Sequence, residues 1–372
     1  MRFGLSNPPY LEGTETEVEL TKDELLDEQK PVRPESKLYS YPADFTLEVL
    51  SSKLEDGEIV VPPFQRRYVW TLEKASMLIE SFLRSLPVPP VYLFTTDDGK
   101  LLIVDGHQRL QTIRRFFDGT WSDGEDFKLL LDETSDWNGK SFHELPPAQQ
   151  RKIKVSVMRT YIIEKKEGST DNAMYDMFQR LNTGGVLLTP QEIRNCVYHG
   201  PLNDALLKLN SSHDWRLIVG SDEADRRQRD VELILRGLAL GHIGKKLPEQ
   251  DEALHYKPSL RDFLDSFMKT MQNPTNEWLD DASKLFSDTI SRILEGLGER
   301  PFHLRRSMNA PTYDAVFVAF ARSPRVKPES IKTKYERLKA NNEFRDFTEE
   351  RPTGTASVNG RIELAERILF GR

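Results

Sequence analysis

Two apolar runs, Val91-Tyr92-Leu93-Phe94 and Leu101-Leu102-Ile103-Val104, lie either side of Asp98-Gly99. Asp-Gly between two such runs is a strong hairpin signal, because the tight turn demands positive φ at its centre. The second run leads straight into Asp105-Gly106. Helical spacing starts at once, with Leu110, Ile113 and Phe117 on one face and Gly119 past the end. Strand, hairpin, strand, tight turn and helix in immediate succession make this region a mixture of strands and helices.

The same mixture extends over residues 37–165. Ile59-Val60-Val61 is a short apolar run closed by Pro62-Pro63. Leu72, Ala75, Leu78, Ile79, Phe82, Leu83 and Leu86 recur at helical spacing behind Thr71, a good N-cap. Pro87 and Pro89-Pro90 then forbid continuation. Pro147 opens a short helix, and Val155–Ile163 reads as a further strand. From residue 166 the pattern is helical to the end. One helix carries Met174, Met177, Phe178 and Leu181 and stops at Gly184-Gly185. The next opens with Thr189-Pro190-Gln191-Glu192, an N-cap, a first-turn proline and a capping-box glutamate. Further helical stretches are expected at Val231–Leu240, Leu260–Met271, Trp278–Leu297, Tyr313–Ala321 and Ile362–Leu369. The expectation is an α+β protein in three parts: an acidic arm over 1–36, a small mixed sheet with helices over 37–165, and an all-helical domain over 166–372.

Composition narrows the class. The longest apolar run, Ala315–Ala321, is far short of the ~20 residues of a membrane helix, and the N-terminus has no basic-then-apolar leader pattern. A single cysteine, Cys196, excludes an internal disulfide and a cysteine-cluster zinc site; its helical context marks it as a small core residue. A cytoplasmic protein is expected. Of the net charge of −7, the first 36 residues hold −5 and the rest of the chain −2. A near-neutral body can still present local basic faces, so charge does not decide on nucleic acid.

Asp105-Gly106-His107-Gln108-Arg109 is the first candidate site. A strand end, a glycine and a helix start leave amides unpaired at the positive end of a helix, which suits phosphate. Gly106 permits close approach of a ligand to the backbone. Arg109 offers a planar fork to phosphate oxygens. Asp105 can hold Mg²⁺ bridging the same phosphates, and His107 can ligate a metal or shuttle a proton. The plainer alternative is that Asp105 caps the helix and pairs with Arg109. The residues leave both open.

A second candidate, Val60-Val61-Pro62-Pro63-Phe64-Gln65-Arg66-Arg67-Tyr68-Val69-Trp70, interleaves arginines with aromatics, a mixture that suits phosphate contact plus base stacking; a core role is the favoured reading of Phe64, Tyr68 and Trp70. A third is the glycine-rich corner bearing Asn182, followed by Glu192, Arg194 and Asn195, where plain helix capping is the favoured reading. A fourth is Arg226-Arg227-Gln228-Arg229 with Arg236, ordinarily a solvated face. There is no P-loop, no H-E-x-x-H, no nucleophile elbow and no dinucleotide fingerprint.

Pro63-Phe64-Gln65-Arg66-Arg67-Tyr68-Val69-Trp70, Leu78-Ile79-Glu80-Ser81, Pro87-Val88-Pro89-Pro90-Val91 and Asp105-Gly106-His107-Gln108-Arg109-Leu110 together resemble a large bacterial domain family marked by a DGQQR motif. That domain forms the N-terminal part of GmrSD-type modification-dependent restriction enzymes and of SspE-type phage-defence proteins. Leu181-Asn182-Thr183-Gly184-Gly185 through Glu192-Ile193-Arg194-Asn195 is similar to the family's second block, so the resemblance spans roughly residues 40 to 240.

It implies a ParB/sulfiredoxin-like domain with a helical region behind it, and binding, often hydrolysis, of a nucleoside triphosphate, with Mg²⁺. On this reading Asp105, His107, Gln108 and Arg109 are the catalytic candidates, and Asp105 the metal ligand. Gln65, Arg66, Gly106, Arg109 and Asn182 hold the nucleotide. DNA and a separate nuclease or effector are the implied partners; oligomeric state is left open. The chain departs from the motif at His107, where the family has glutamine, which puts hydrolysis in doubt. Residues 240–372 hold only His242, His255 and His303, widely spaced, and no HNH pattern. Three readings stand: a Mg²⁺-dependent nucleotide hydrolase, a ParB-like DNA-binding sensor, or a nuclease using the same pocket.

Overall fold

A computed structural model of the protein describes residues 18–19, 38–61, 68–96, 99–121, 124–165, 177, 189–198, 200–225, 227–248, 250–256, 259–303, 307–323, 331–349 and 352–372. The chain divides into two compact units, Pro31–Leu188 and Met1–Lys30 with Thr189–Arg372.

The first unit is built on a five-stranded mixed sheet. Strand β1 (Leu38–Pro42) is followed by β2 (Phe45–Thr46), helix α1 (Leu47–Glu55), β3 (Ile59–Val60), α2 (Leu72–Leu83), β4 (Val91–Thr95), β5 (Leu101–Asp105), α3 (His107–Asp118), α4 (Pro147–Val155), β6 (Val157–Met158) and β7 (Thr160–Lys165). The large sheet runs β1-β7-β4-β5-β3, while β2 and β6 pair separately. The expected hairpin is present: β4 and β5 are antiparallel, with Phe94 opposite Leu102 and Leu93 opposite Ile103. A register shift between Tyr92 and Leu93 brings Tyr92 opposite Asp105. Strand β7 joins β4 in parallel, with Tyr92 opposite Tyr161, and β1 antiparallel.

Alternation along β4 puts Val91 and Leu93 into the core and Tyr92 on the other face. Ile103, Leu110, Ile113, Phe116, Ala75, Ile79 and Phe82 belong to the same core. On α3 it is Phe116, not the expected Phe117, that is fully buried with Leu110 and Ile113; Phe117 packs at the margin.

Helix α2 starts at its expected cap, where the Thr71 side chain accepts from Lys74 N. It ends at Leu83, short of Leu86, because Ser85 adopts φ +58°. Ser85 N then donates to Phe82 O at 3.1 Å and Leu86 N to Ser81 O at 2.8 Å. That is a Schellman closure with serine in the place glycine usually takes. The expected strand at Val155–Ile163 is broken up: Val155 ends α4, and the chain then contributes β6 to one small sheet and β7 to the large one.

Among its described residues the second unit is helical apart from Met308–Asn309, which pairs in parallel with Val18–Glu19. Its helices are α5 (Pro190–Val197), α6 (Pro201–Asn210), α7 (His213–Val219), α8 (Arg229–Gly241), α9 (Leu260–Thr270), α10 (Asn276–Leu297), α11 (Ala310–Arg322), α12 (Ile331–Ala340), α13 (Asn342–Glu349) and α14 (Thr355–Phe370). Helix α5 opens with the expected capping box: Thr189 accepts from Glu192 N, and the Glu192 carboxylate accepts from Thr189 N. The expected helix around Met174–Leu181 and its glycine-rich corner lie outside the described residues, save Met177, which is helical. The fold is α+β: a small mixed sheet with helices, then a helical region. No helix among the described residues is long and apolar enough to cross a membrane.

Candidate functional site

Strand β5 ends at Asp105, and Gly106 turns the chain at φ +103° and ψ 9° to become the N-cap of α3. Only glycine enters this region freely. A Cβ on Gly106 would also lie 2.7 Å from Val91 Cγ2 and 3.2 Å from an Arg109 guanidinium nitrogen. The glycine is thus needed for packing against β4, a reason distinct from the ligand approach that the sequence suggested. Gly106 gives α3 no side-chain cap. Asp105 does not cap the helix; it accepts from Arg109 Nη2 at 2.9 Å.

Arg109 is fixed from two sides, since Nη2 also donates to Pro90 O at 2.9 Å. Its Nε is buried without a hydrogen-bond partner. Asp105 remains about 40% exposed at its side chain (39%), so the pair stands at the end of the sheet with the carboxylate reachable.

His107 is 7% exposed, and its Nε2 is buried without a partner. Nδ1 lies 3.3 Å from Gln108 Nε2. Burial, reinforced by the nearby Arg115 guanidinium, pulls the imidazole down to about 4. His107 is therefore neutral near pH 7, able to accept a hydrogen bond but a weak proton acceptor.

Gln108 turns the other way. Its Oε1 accepts from Val69 N at 2.9 Å and from Trp70 N at 3.3 Å, so the amide ties α3 to the residues directly following Gln65-Arg66 in the chain. One turn on, Thr112 Oγ1 donates to Gln108 O at 2.7 Å and meets Tyr68 Oη at 2.7 Å. Arg115 lies over the Tyr68 ring at 4.3 Å, and Tyr68 packs edge-on against Trp121. Gln108, Thr112 and Arg115 were legible as a polar stripe at helical spacing, and that signal was missed.

The structure thus brings together Asp105, Gly106, His107, Gln108 and Arg109. Gln65, Arg66 and Asn182 lie outside the described residues. Among those described, no group of three acidic, histidine or cysteine side chains could hold a metal alone. A Mg²⁺ ion that takes its other ligands from phosphate oxygens and water needs only one protein carboxylate, and Asp105 is the carboxylate at this turn.

Glu192, Arg194, Asn195 and Arg236 make structural contacts. Arg194 is 1% exposed and donates to Asp265 at 2.7 Å, Glu232 at 3.0 Å and Gln191 at 3.2 Å. Asn195 donates to Gln228 and accepts from Gln191. Glu192 closes its capping box next to Arg227, with its carboxyl raised by burial. Arg236, expected on a solvated face, is buried against Asp314 at 2.6 Å. The basic run around 227–236 is therefore not an open cationic face at that position.

Residues 47–199 match the family model for the GmrSD restriction endonuclease, N-terminal domain. This region is similar to the GmrSD-type N-terminal domain. It takes in α1 through β7 and reaches α5, so it includes the whole Asp105–Arg109 turn and the capped helix of the second block. No curated protein matches the chain.

Proposed function

We propose that this protein binds, and with Mg²⁺ hydrolyses, a nucleoside triphosphate at the Asp105–Arg109 turn, as a cytoplasmic component of a bacterial restriction or phage-defence system. The carrying observation is the uncapped, left-handed Gly106 start of α3 with Arg109 clamped beside it on Asp105 and Pro90. A helix start offers amides and a partial positive charge to phosphate oxygens. Arg109 is already oriented, so little side-chain entropy is lost when it meets an anion.

Asp105 would hold Mg²⁺, which neutralises phosphate charge when bound. Gln65, Arg66 and Asn182 are assigned to the nucleotide from the family pattern. In hydrolysis, a water oxygen bonds to the γ-phosphorus, the bond to the bridging oxygen breaks, the diphosphate keeps the electron pair, and the water's proton passes to an oxygen of the released phosphate. Arg109 offsets the developing charge. His107 is neutral and its Nδ1 faces the Gln108 amide nitrogen, a donor, so the imidazole proton sits on Nε2, which would donate a hydrogen bond to a phosphate or water oxygen. Gln108 is a positioning residue, since its carbonyl oxygen is committed to Val69 and Trp70.

That commitment favours a second reading, in which the nucleotide is a ligand of a DNA-binding sensor and is not turned over. Purified protein offered each labelled triphosphate with Mg²⁺, with and without DNA, separates the two. Phosphate release lost in Asp105→Ala and Arg109→Ala supports hydrolysis. Saturable binding without release supports the sensor, and Mg²⁺-dependent plasmid nicking would point to nuclease chemistry instead. An Arg109→Ala protein unchanged in all three activities would remove this site from the account. DNA and a separate effector are the proposed partners.

A further inference from the structure

Tyr92 and Tyr161 are register partners on adjacent parallel strands. Their rings are stacked, with centroids 5.4 Å apart and planes 16° from parallel. Both are half-buried. They stand on the face of the sheet opposite the one that packs Val91, Leu93 and Ile103 against the helices. Tyr92 is also the register partner of Asp105 on β5. One row across three strands therefore reads Tyr161, Tyr92, Asp105, and strand spacing puts its two ends roughly 10 Å apart. The row begins with aromatic faces and ends at the Asp105–Arg109 ion pair.

We infer that the Tyr92–Tyr161 pair is the stacking platform for the base of the nucleotide whose phosphates sit at the Asp105–Arg109 turn. The inference rests on the phosphate reading above. Cross-strand aromatic pairs stabilise a sheet by packing; this pair is in addition partly open and lies beside a phosphate-compatible turn. Ring stacking accepts every base, because every base has a π-face. The site would therefore grip any nucleoside triphosphate, with base choice made by other groups. The register shift at Tyr92/Leu93 is what supplies the alignment, since it sets Tyr92, and not Val91 or Leu93, opposite Asp105.

Four proteins carry the test: wild type, Tyr92→Leu, Tyr92→Phe and Arg109→Ala, each checked for an unchanged thermal midpoint and circular dichroism. Two probes are titrated into each: a triphosphate of 2-aminopurine riboside, whose fluorescence falls on stacking, and inorganic tripolyphosphate. The wild type is expected to quench the base probe and to bind tripolyphosphate more weakly. Tyr92→Leu is expected to lose quenching and roughly 5- to 150-fold in nucleotide affinity, as base–aromatic stacking is generally worth, while keeping its tripolyphosphate affinity. Tyr92→Phe keeps both.

Equal affinity of the wild type for the two probes, or full quenching in Tyr92→Leu, overturns the platform and leaves the phosphate site standing. Loss of both probes in Arg109→Ala confirms that site independently. Binding of neither probe by the wild type ends both readings. Quenching by a 2-aminopurine single-stranded oligonucleotide without quenching by the triphosphate assigns the rings to nucleic acid and overturns the inference as stated.

Discussion

Gln108 Oε1 accepts from the backbone amides of both Val69 and Trp70, 38 to 39 residues earlier in the chain. A motif residue at a helix start is thus a brace for the segment that follows the Gln65-Arg66 block. Gln108→Ala leaves two amides without this acceptor, and removing one partner of a hydrogen bond in a partly buried place costs ~1–3 kcal/mol. Val69 is exposed, so water can serve its amide and the lower end is expected. Gln108→Glu keeps the acceptor oxygen and should recover most of the loss. Urea unfolding of the three proteins measures this; equal midpoints for wild type and alanine variant would show that the brace carries no stability.

Gly106→Ala combines a backbone angle that side chains rarely adopt with a methyl 2.7 Å from Val91 Cγ2. The expected cost is about 1–3 kcal/mol. If the clash with Val91 is the cause, the same substitution costs less in a Val91→Ala background. A double-mutant cycle reads that coupling directly, and an additive cycle would locate the cost in the backbone alone.

His107 gives a pH signature. Its folded-state pKa is about 4 against 6.5 for the free side chain, so between these values the unfolded chain takes up the proton and the folded protein does not. Stability from this group is fully present above pH 6.5, declines as the pH falls toward 4, and is flat below. The span amounts to roughly 3 kcal/mol at 1.36 kcal/mol per pKa unit. Replacing His107 by glutamine, the residue of the motif it resembles, should remove this component. The difference between the two unfolding profiles from pH 7 to 4 isolates it; parallel profiles would mean that His107 is accessible to protons in the folded state.

Asp314 is fully buried and bonds Arg236 Nη2 at 2.6 Å and Arg361 Nη2 at 2.9 Å. It joins α8, α11 and α14 through one carboxylate. Asp314→Ala would strand two buried guanidinium groups, a change that costs ~3–5 kcal/mol. Calorimetry should show a large fall in the unfolding temperature, whereas a surface change such as Asp288→Ala should leave it nearly fixed.

Much of this was open to reading in the residues alone. The hairpin, the Gly106 turn, the helix behind it, the Thr71 cap and the Thr189 capping box follow from turn chemistry, capping and local periodicity. So does the grouping of Asp105 with Arg109 at i and i+4. Local rules could not say what the long-range partners would be. Helix α1, led by Thr46 and burying Leu47, Leu50 and Leu54, went unread because nine residues give a weak periodic signal. Arg236 looked like surface charge and Arg194 like part of a helix cap, since a sequence does not reveal that Asp314, 78 positions on, or Asp265, 71 positions on, will neutralise them.

Sequence by itself determined the strand–turn–helix and the chemistry gathered at it, because those depend on neighbours within a few residues. Only the tertiary structure decided that Gly106 faces Val91, that Gln108 braces Val69 and Trp70, and that Tyr92 falls in register with both Tyr161 and Asp105. Strand order and register are settled by which apolar faces the sheet must bury, and that choice is made between segments far apart in the chain.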